Sequence, residues 1–292
     1  MRIFQKIGIL GRPRAKGIRQ TLALLLQFLS HHTAKVFVDS DLKALLKNKK
    51  INFLNKERLV KTCDLFIVIG GDGSLLQAAK MASEHHIPVV GINKGSLGFL
   101  TDILPSEIEK SLKSLLSGNY NEEERFLIEA KTKDEKNKNQ RRLALNDIVL
   151  LPGNVAHMIE FEIYIDKQFV CKQRADGLII ATPTGSTAYA LSGGGPILHP
   201  QLEALVLVPM FPHTLSSRPL VIESNSTIEI IISKNNEVSP WLSCDGDEKQ
   251  SLFPGSSILI HKSKYSLRLI HPKDYNYFET LRSKLHWSGH LG

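Results

Sequence analysis

With 292 residues, 42% of them hydrophobic and 23% charged, the chain has the content of a folded globular protein with room for two domains, which excludes a disordered or low-complexity polymer. Its longest apolar clusters, such as Leu22 to Leu26 and Ala204 to Val208, fall far short of the roughly 20 residues that span a bilayer, so no membrane helix and no membrane partner are expected. A formal charge of +8 narrows the partners to nucleic acid or a small polyanionic substrate.

The N-terminal apolar run turns at once into Gly11-Arg12-Pro13-Arg14, without the h-region or cleavage site of a signal peptide, and reads as a first strand over Lys6 to Leu10. A helix over Ile18 to His31 and a strand over Lys35 to Val38 follow, with Asp39 and Asp41 beyond. Next, the apolar strand Leu65 to Ile69 runs into Gly70-Gly71-Asp72-Gly73-Ser74. From Ser74 to Ser83, Leu75, Ala78, Ala79 and Ala82 stand at helical spacing, and Ile87 to Ile92 completes a βαβ unit. Ligands of open α/β sheets bind at the carboxyl ends of such strands. One more helix is predicted over Ser106 to Ser117.

Beyond that point the rhythm changes. Arg125 to Lys133, Arg142 to Leu151, His157 to Ile165 and Gln168 to Cys171 alternate as strands, and so do Thr227 to Ser233, Ser257 to His261 and Leu267 to Ile270. Tyr275 to Trp287 returns to helical periodicity, with Phe278, Leu281 and Leu285 on one stripe. The expected architecture is a Rossmann-like α/β domain over residues 1–124, a β-sandwich domain over 125–271, and a C-terminal helix within 272–292 that packs back on the first domain.

Three cysteines, Cys63, Cys171 and Cys244, lie far apart and form neither a disulfide framework nor a zinc knuckle, which fits a reducing cytoplasm. The pairs His31-His32 and His85-His86 are adjacent and so lack the spacing of helix-borne metal ligands. The densest basic stretch, Lys131, Lys133, Lys136, Lys138, Arg141 and Arg142, is interleaved with Asp134 and Glu135 and has no aromatic residue to stack on bases. It reads as a solvated loop, and no nucleic-acid partner is expected.

The loop at 70–74 carries the chemistry. Glycines let backbone N–H groups approach phosphate oxygens, and a following helix start adds orphan donors and a positive dipole end, so Gly70, Gly71 and Gly73 are assigned to phosphate. A carboxylate beside phosphates is repelled unless a metal offsets it or it takes a proton from an attacking hydroxyl, so Asp72 argues for catalysis rather than anion capture. A tight Asp-Gly hairpin turn is the plain alternative. Ser74-Leu75 follows Gly73 where a Walker loop needs its lysine, and Leu76 stands where the dinucleotide fingerprint needs its third glycine.

Two further constellations lie in the β-rich half. Thr182 to Ser192 and Gly193-Gly194-Gly195 offer short hydroxyls, amides and the Tyr189 ring, an inventory for ribose, carboxamide and base; helix capping near Ser186 would use the same residues. Leu145-Asn146-Asp147 suits vicinal ribose hydroxyls or a metal shell, and equally a turn.

Taken together, GGDGS at 70–74, GINKGSLGFLTD at 91–102, LND at 145–147, ADGLIIATPTGSTAYALSGGGP at 175–196 and PHTLSSRPL at 212–220 resemble the bacterial NAD kinase family in order, spacing and wording. The resemblance implies transfer of a phosphoryl group from ATP, or from another donor such as polyphosphate, to the 2′-hydroxyl of the adenosine ribose of NAD, giving NADP. Asp72 becomes the general base, with Gly73 beside it in the catalytic loop. Asn146 and Asp147 contact ribose; Arg174, Asp176 and His157 belong to the substrate pocket. Thr187, Ala188, Tyr189, Ala190, Leu191 and Ser192 line the dinucleotide, and Asp247 falls at a further contact. A divalent cation such as Mg²⁺ accompanies ATP, with no metal ligand assigned to the protein. The family also implies a homodimer or homotetramer.

Three departures stand out: Asn146-Asp147 for Asn-Glu, Ser192-Gly193-Gly194-Gly195 for Ser-Ala-Gly-Gly, and Asp247 for a glutamine. The first keeps charge but shortens reach, whereas an acceptor-only carboxylate at 247 cannot reproduce an amide's donor. The alternatives are a lipid or sugar kinase of the same superfamily, whose GTGND and TIDND segments are missing here, or a non-catalytic nucleotide-binding regulator.

Overall fold

Five consecutive apolar residues, Leu65–Ile69, are buried without exception, the pattern of a strand covered on both faces. In the computed structural model, which describes residues 4–15, 17–32, 34–46, 51–93, 95, 98–133, 140–154, 157–247 and 249–287, that strand is central to a parallel sheet. Most of the basic stretch, 134–139, lies outside the described residues.

The chain forms two units, 1–124 with 266–292, and 125–265. The first begins with β1 (Lys6–Gly11), α1 (Ile18–Ser30), β2 (Lys35–Asp39), β3 (Asn52–Leu54), α2 (Lys56–Thr62), β4 (Leu65–Ile69), α3 (Asp72–Glu84), β5 (Val89–Ile92) and α4 (Ile108–Leu116). The parallel order is β5-β4-β1-β2-β3. Alternate strand residues Ile7, Ile9, Leu65, Ile67, Ile69, Val90 and Ile92 share one core with the apolar stripes of α1 (Ile18, Leu22, Leu25, Leu29) and α4 (Ile108, Leu112, Leu115). On α3, Leu75, Ala78, Ala79 and Ala82 are buried, and this helix packs on β4 and β5.

Beyond α4 the chain is mostly strand: β6 (Tyr120–Lys133), β7 (Gln140–Ala144), β8 (Asp147–Leu151), β9 (Ile159–Ile165), β10 (Gln168–Ala175) and β11 (Gly177–Ala181). The short helix α5 (Tyr189–Ser192) precedes β12 (Ala204–Met210), β13 (Leu220–Glu223), β14 (Ile228–Ile232), β15 (Trp241–Cys244), β16 (Gln250–Ser251) and β17 (Ser257–Pro272), and α6 (Tyr277–Leu285) follows.

The second unit is an antiparallel β-sandwich. One layer is β13-β12-β11-β8-β15-β16; the other contains β10-β9-β14 and the first half of β17. Ile148, Leu150, Leu178, Ile180, Leu205 and Leu207 of the six-stranded layer meet Phe161, Ile163, Ile228, Ile230 and Ile258 of the other in one core. The intervening residues Val149, Ile179, Ala181, Val206 and Val208 form a separate core with Ala190 and Leu198. Period-2 alternation thus gives the six-stranded layer two apolar faces, the second covered by the hydroxyl-rich segment.

The expected strand Arg142 to Leu151 is two strands, β7 and β8, because Leu145 and Asn146 bend between them. Conversely, Ser257 to His261 and Leu267 to Ile270 are parts of the single strand β17, which leaves the second unit at 265/266. Its last part pairs in parallel with β5, Leu269 opposite Val89, and places Ile270 in the first unit's core. On α6, Leu281 and Thr280 are buried whereas Phe278 is exposed, so the expected Phe278–Leu281–Leu285 stripe is not the buried face. The three cysteines are free, and among the described residues no helix is long and apolar enough to cross a membrane.

Candidate active site

At the carboxyl end of β4, Gly70 adopts φ +157, and a Cβ there would collide with the Ser74 hydroxyl, so the turn demands glycine. Among the described residues a Cβ at Gly71 would meet nothing within 4 Å, which leaves open space above the backbone. Gly71 is the N-cap of α3 without a side-chain cap, and the helix starts at Asp72, two residues earlier than the spacing predicts. The carboxylate therefore sits in the first turn of a helix, where the dipole favours negative charge.

Both oxygens of Asp72 are engaged by a segment some distance along the chain. Oδ2 accepts the Phe99 N–H at 2.9 Å; Oδ1 accepts the Leu100 N–H at 3.0 Å and the Thr101 hydroxyl at 3.1 Å. Arg12, just past the carboxyl end of β1, donates to the Gly73 carbonyl at 2.7 Å and to Gln77 Oε1 at 3.2 Å. Sequence reasoning missed this arginine, although its place directly after a parallel strand's carboxyl end is a usable signal.

In the second unit the Asn146-Asp147 turn is clamped from three sides. The N–H groups of Leu145, Asn146 and Asp147 donate to the Asp245 carboxylate at 2.9, 2.7 and 3.2 Å. Thr182 donates its hydroxyl to the Leu145 carbonyl at 2.5 Å and its N–H to the Asn146 carbonyl at 2.9 Å, and Gly185 backs directly on that carbonyl. Asp147 is buried, and the Asn146 Oδ1 is buried with no hydrogen-bond partner among the described residues. A buried acceptor in that state is an opening for a ligand donor. Asp245, which follows β15 at φ +54, was not foreseen; Asp247, which was, is exposed.

The hydroxyl-rich segment divides into structural and outward-facing groups. Ser186, fully buried, donates to the Pro183 carbonyl at 2.7 Å and accepts the Leu198 N–H at 2.9 Å; Thr184 accepts from Arg125 at 3.3 Å. Thr187 donates to the Thr184 carbonyl. Ala190 points into the core, whereas Tyr189 is 46% exposed and, with Ser192, lines a pocket of about 300 Å³ completed by Met210, Phe211, Pro212 and Arg218. Leu191 is half-buried, and Ala188 joins the turn at Gly185–Thr187 to α5.

The remaining candidates are not among the residues that line that pocket, although Asp176 bonds to one of them, Met210. Arg174 is exposed on β10, opposite Glu160 of β9; Asp176 is half-buried, its N–H bonded to the Met210 carbonyl; His157 is exposed. The structure thus gathers Gly70, Gly71, Asp72 and Gly73 with Arg12 and the 98–101 segment in one unit. In the other it gathers Asn146 and Asp147 with Thr182 and Asp245. Tyr189 and Ser192 form a separate wall.

Comparison with known proteins gives two matched domains. Residues 7–120 match the ATP-NAD kinase N-terminal domain and residues 145–272 the ATP-NAD kinase C-terminal domain. An NAD kinase of Coxiella burnetii is 52% identical over 284 residues, covering 97% of this chain and 95% of the relative. One of Pseudomonas entomophila is 49% identical over 292 residues, 100% of this chain and 99% of the relative. The structure of yeast NADH kinase complexed with NADH aligns at TM-score 0.90 and 28% identity, covering 99% of this chain and 89% of that one. That of an NAD kinase from Archaeoglobus fulgidus in complex with ATP aligns at TM-score 0.74 and 27% identity, covering 97% and 99%. A glycine-framed acid in the first unit and a clamped Asn-Asp turn in the second fall within the two matched domains, and with relatives alike over their whole length the chain belongs to the NAD kinase family.

Proposed function

We propose that this protein transfers the terminal phosphoryl group of ATP to the 2′-hydroxyl of the adenosine ribose of NAD, giving NADP, with Asp72 as the general base. The observation that carries the assignment is the state of its carboxylate. Each carboxylate oxygen has two lone pairs, so among the described residues Oδ1, with two donors, is saturated, whereas Oδ2, with one, keeps an acceptor position for a sugar hydroxyl. The open space at Gly71 and the first amides of α3 suit the donor phosphates. Asn146, with its unpartnered Oδ1, and Asp147 suit a ribose; Tyr189 and Ser192 offer an aromatic and hydroxyl wall for the dinucleotide.

Phosphoryl transfer leaves little covalent work to the protein, and catalysis is mostly alignment and charge stabilisation. Mg²⁺ or another divalent cation enters with the triphosphate as part of the substrate. The net positive charge favours encounter with two polyanions. The test is NADP formation from NAD, ATP and Mg²⁺, with polyphosphate as an alternative donor and diacylglycerol as an alternative acceptor. Asp72→Asn should fold and bind NAD yet lose about 10²- to 10⁴-fold in turnover, the usual share of general-base catalysis. Near-normal turnover of that variant would remove Asp72 from the role, and phosphorylation of the lipid instead of NAD would move the enzyme to another class.

A further inference from the structure

Resting on the reading of Asp72 as base, we propose that Thr101 is a positioning residue that sets the direction of the catalytic carboxylate, with Asn93 and Gly98 completing the device. Asn93, at the carboxyl end of β5, donates its side-chain amide to Thr101 Oγ1 at 2.8 Å, and Thr101 Oγ1 lies 3.1 Å from Asp72 Oδ1. The Asn93 NH₂ group is a donor only, so it occupies a lone pair of the hydroxyl and leaves the single Thr101 proton to be given elsewhere. Thr101 is fully buried, and among the described residues the acceptor in reach of its hydroxyl is Asp72. The proton therefore has one direction, toward Oδ1.

That direction decides which oxygen does the chemistry. With the Thr101 hydroxyl and the Leu100 N–H both on Oδ1, the remaining lone pair of the carboxylate is on Oδ2. Without the hydroxyl, Oδ1 and Oδ2 would each hold one backbone donor, and the carboxylate would lose its distinction between a held oxygen and a reacting one. Gly98 enforces the same arrangement by shape. A Cβ at that position would fall on Asp72 Oδ1 and Thr101 Oγ1, and the Gly98 N–H closes the turn on the Thr101 carbonyl at 2.8 Å. Residues 98–101, with Asn93, are in this sense a mould for one carboxylate.

The test measures kcat and KM for NAD and ATP together with melting temperatures. Thr101→Val, which keeps shape and removes the hydroxyl, should lower kcat by about 10- to 100-fold, the scale of a misaligned catalytic group, with both KM values within about twofold. Thr101→Ser restores the donor and should recover most of the loss. In the Asp72→Asn background, Thr101→Val should cost nothing further. Gly98→Ala leaves the Thr101 hydroxyl in place but intrudes on the carboxylate, and should give the same kcat-only loss, which keeps the test decisive if Thr101→Val fails to fold. Normal turnover of Thr101→Val or Gly98→Ala beside an inactive Asp72→Asn overturns the positioning role and leaves Asp72 as base. An equal loss from Thr101→Val in both backgrounds, or no recovery in Thr101→Ser, also overturns it. An active Asp72→Asn instead overturns the reading on which it rests.

Discussion

Three successive backbone N–H groups, those of Leu145, Asn146 and Asp147, share one acceptor, the Asp245 carboxylate. Charge-assisted bonds of this kind are among the stronger ones, and their loss leaves donors that the packed turn cannot offer to water. Asp245→Ala should therefore destabilise the protein by about 2–4 kcal/mol, the cost of several part-buried donors left without a partner. It should also raise KM for NAD, because Asn146 is held by the same turn. Asp245→Asn keeps an acceptor oxygen and should cost less on both counts. Asp247→Ala, two residues away and exposed, should lower the melting temperature far less than Asp245→Ala. Thermal melts with steady-state NAD kinetics check the set, and an Asp245→Ala protein as stable as the parent would show that the clamp carries no weight.

Among the elements, β4 has the bounds that its apolar run dictates, because five buried residues in a row fit only a covered strand. The α/β and sandwich halves were legible for the same reason, through periods of 3.6 and 2. The break between β7 and β8 was not: Leu145 and Asn146 bend because Asp245 takes their N–H groups from a hundred residues on, and local alternation has no access to that partner. The continuity of β17 was hidden by the polar run Lys262 to Ser266, which nonetheless stays in a strand and buries Ser263. The segment at 182–195 stood out in the sequence as rich in hydroxyls but not as a division of labour, since each hydroxyl looks alike until its neighbours are known. The structure separates them. Ser186→Ala strands the Leu198 N–H and should cost about 1–3 kcal/mol of stability with KM for NAD unchanged. Tyr189→Ala, at an exposed ring, should do the reverse, raising KM for NAD at an unchanged melting temperature. The opposite pattern for either variant would reassign it.

At the scale of the whole chain, the first unit is discontinuous, built from residues before 125 and after 265, and a buried histidine fastens the two parts. His271 of β17 holds Asp102 through Nδ1 at 2.6 Å and faces Glu123 of β6 through Nε2 at 3.3 Å, with its ring stacked on Tyr275 at 3.9 Å. Burial pushes the His271 pKa down, but the hydrogen bonds and charges of Asp102 and Glu123 outweigh it, and the net displacement is upward. A histidine whose folded pKa exceeds its unfolded value, about 6.5, binds its proton more tightly in the native state. Its stabilisation is therefore complete below about pH 6.5 and is lost as pH rises through the raised folded pKa. Asp102 directly follows Thr101, so this ion pair also anchors the segment that holds Asp72. His271→Gln, which keeps bulk and loses the charge, should melt lower than the parent by the widest margin below about pH 6.5, and the gap should narrow steadily on the alkaline side. Melting curves across that range test the idea, and a gap that stays constant with pH would show that His271 contributes packing without charge.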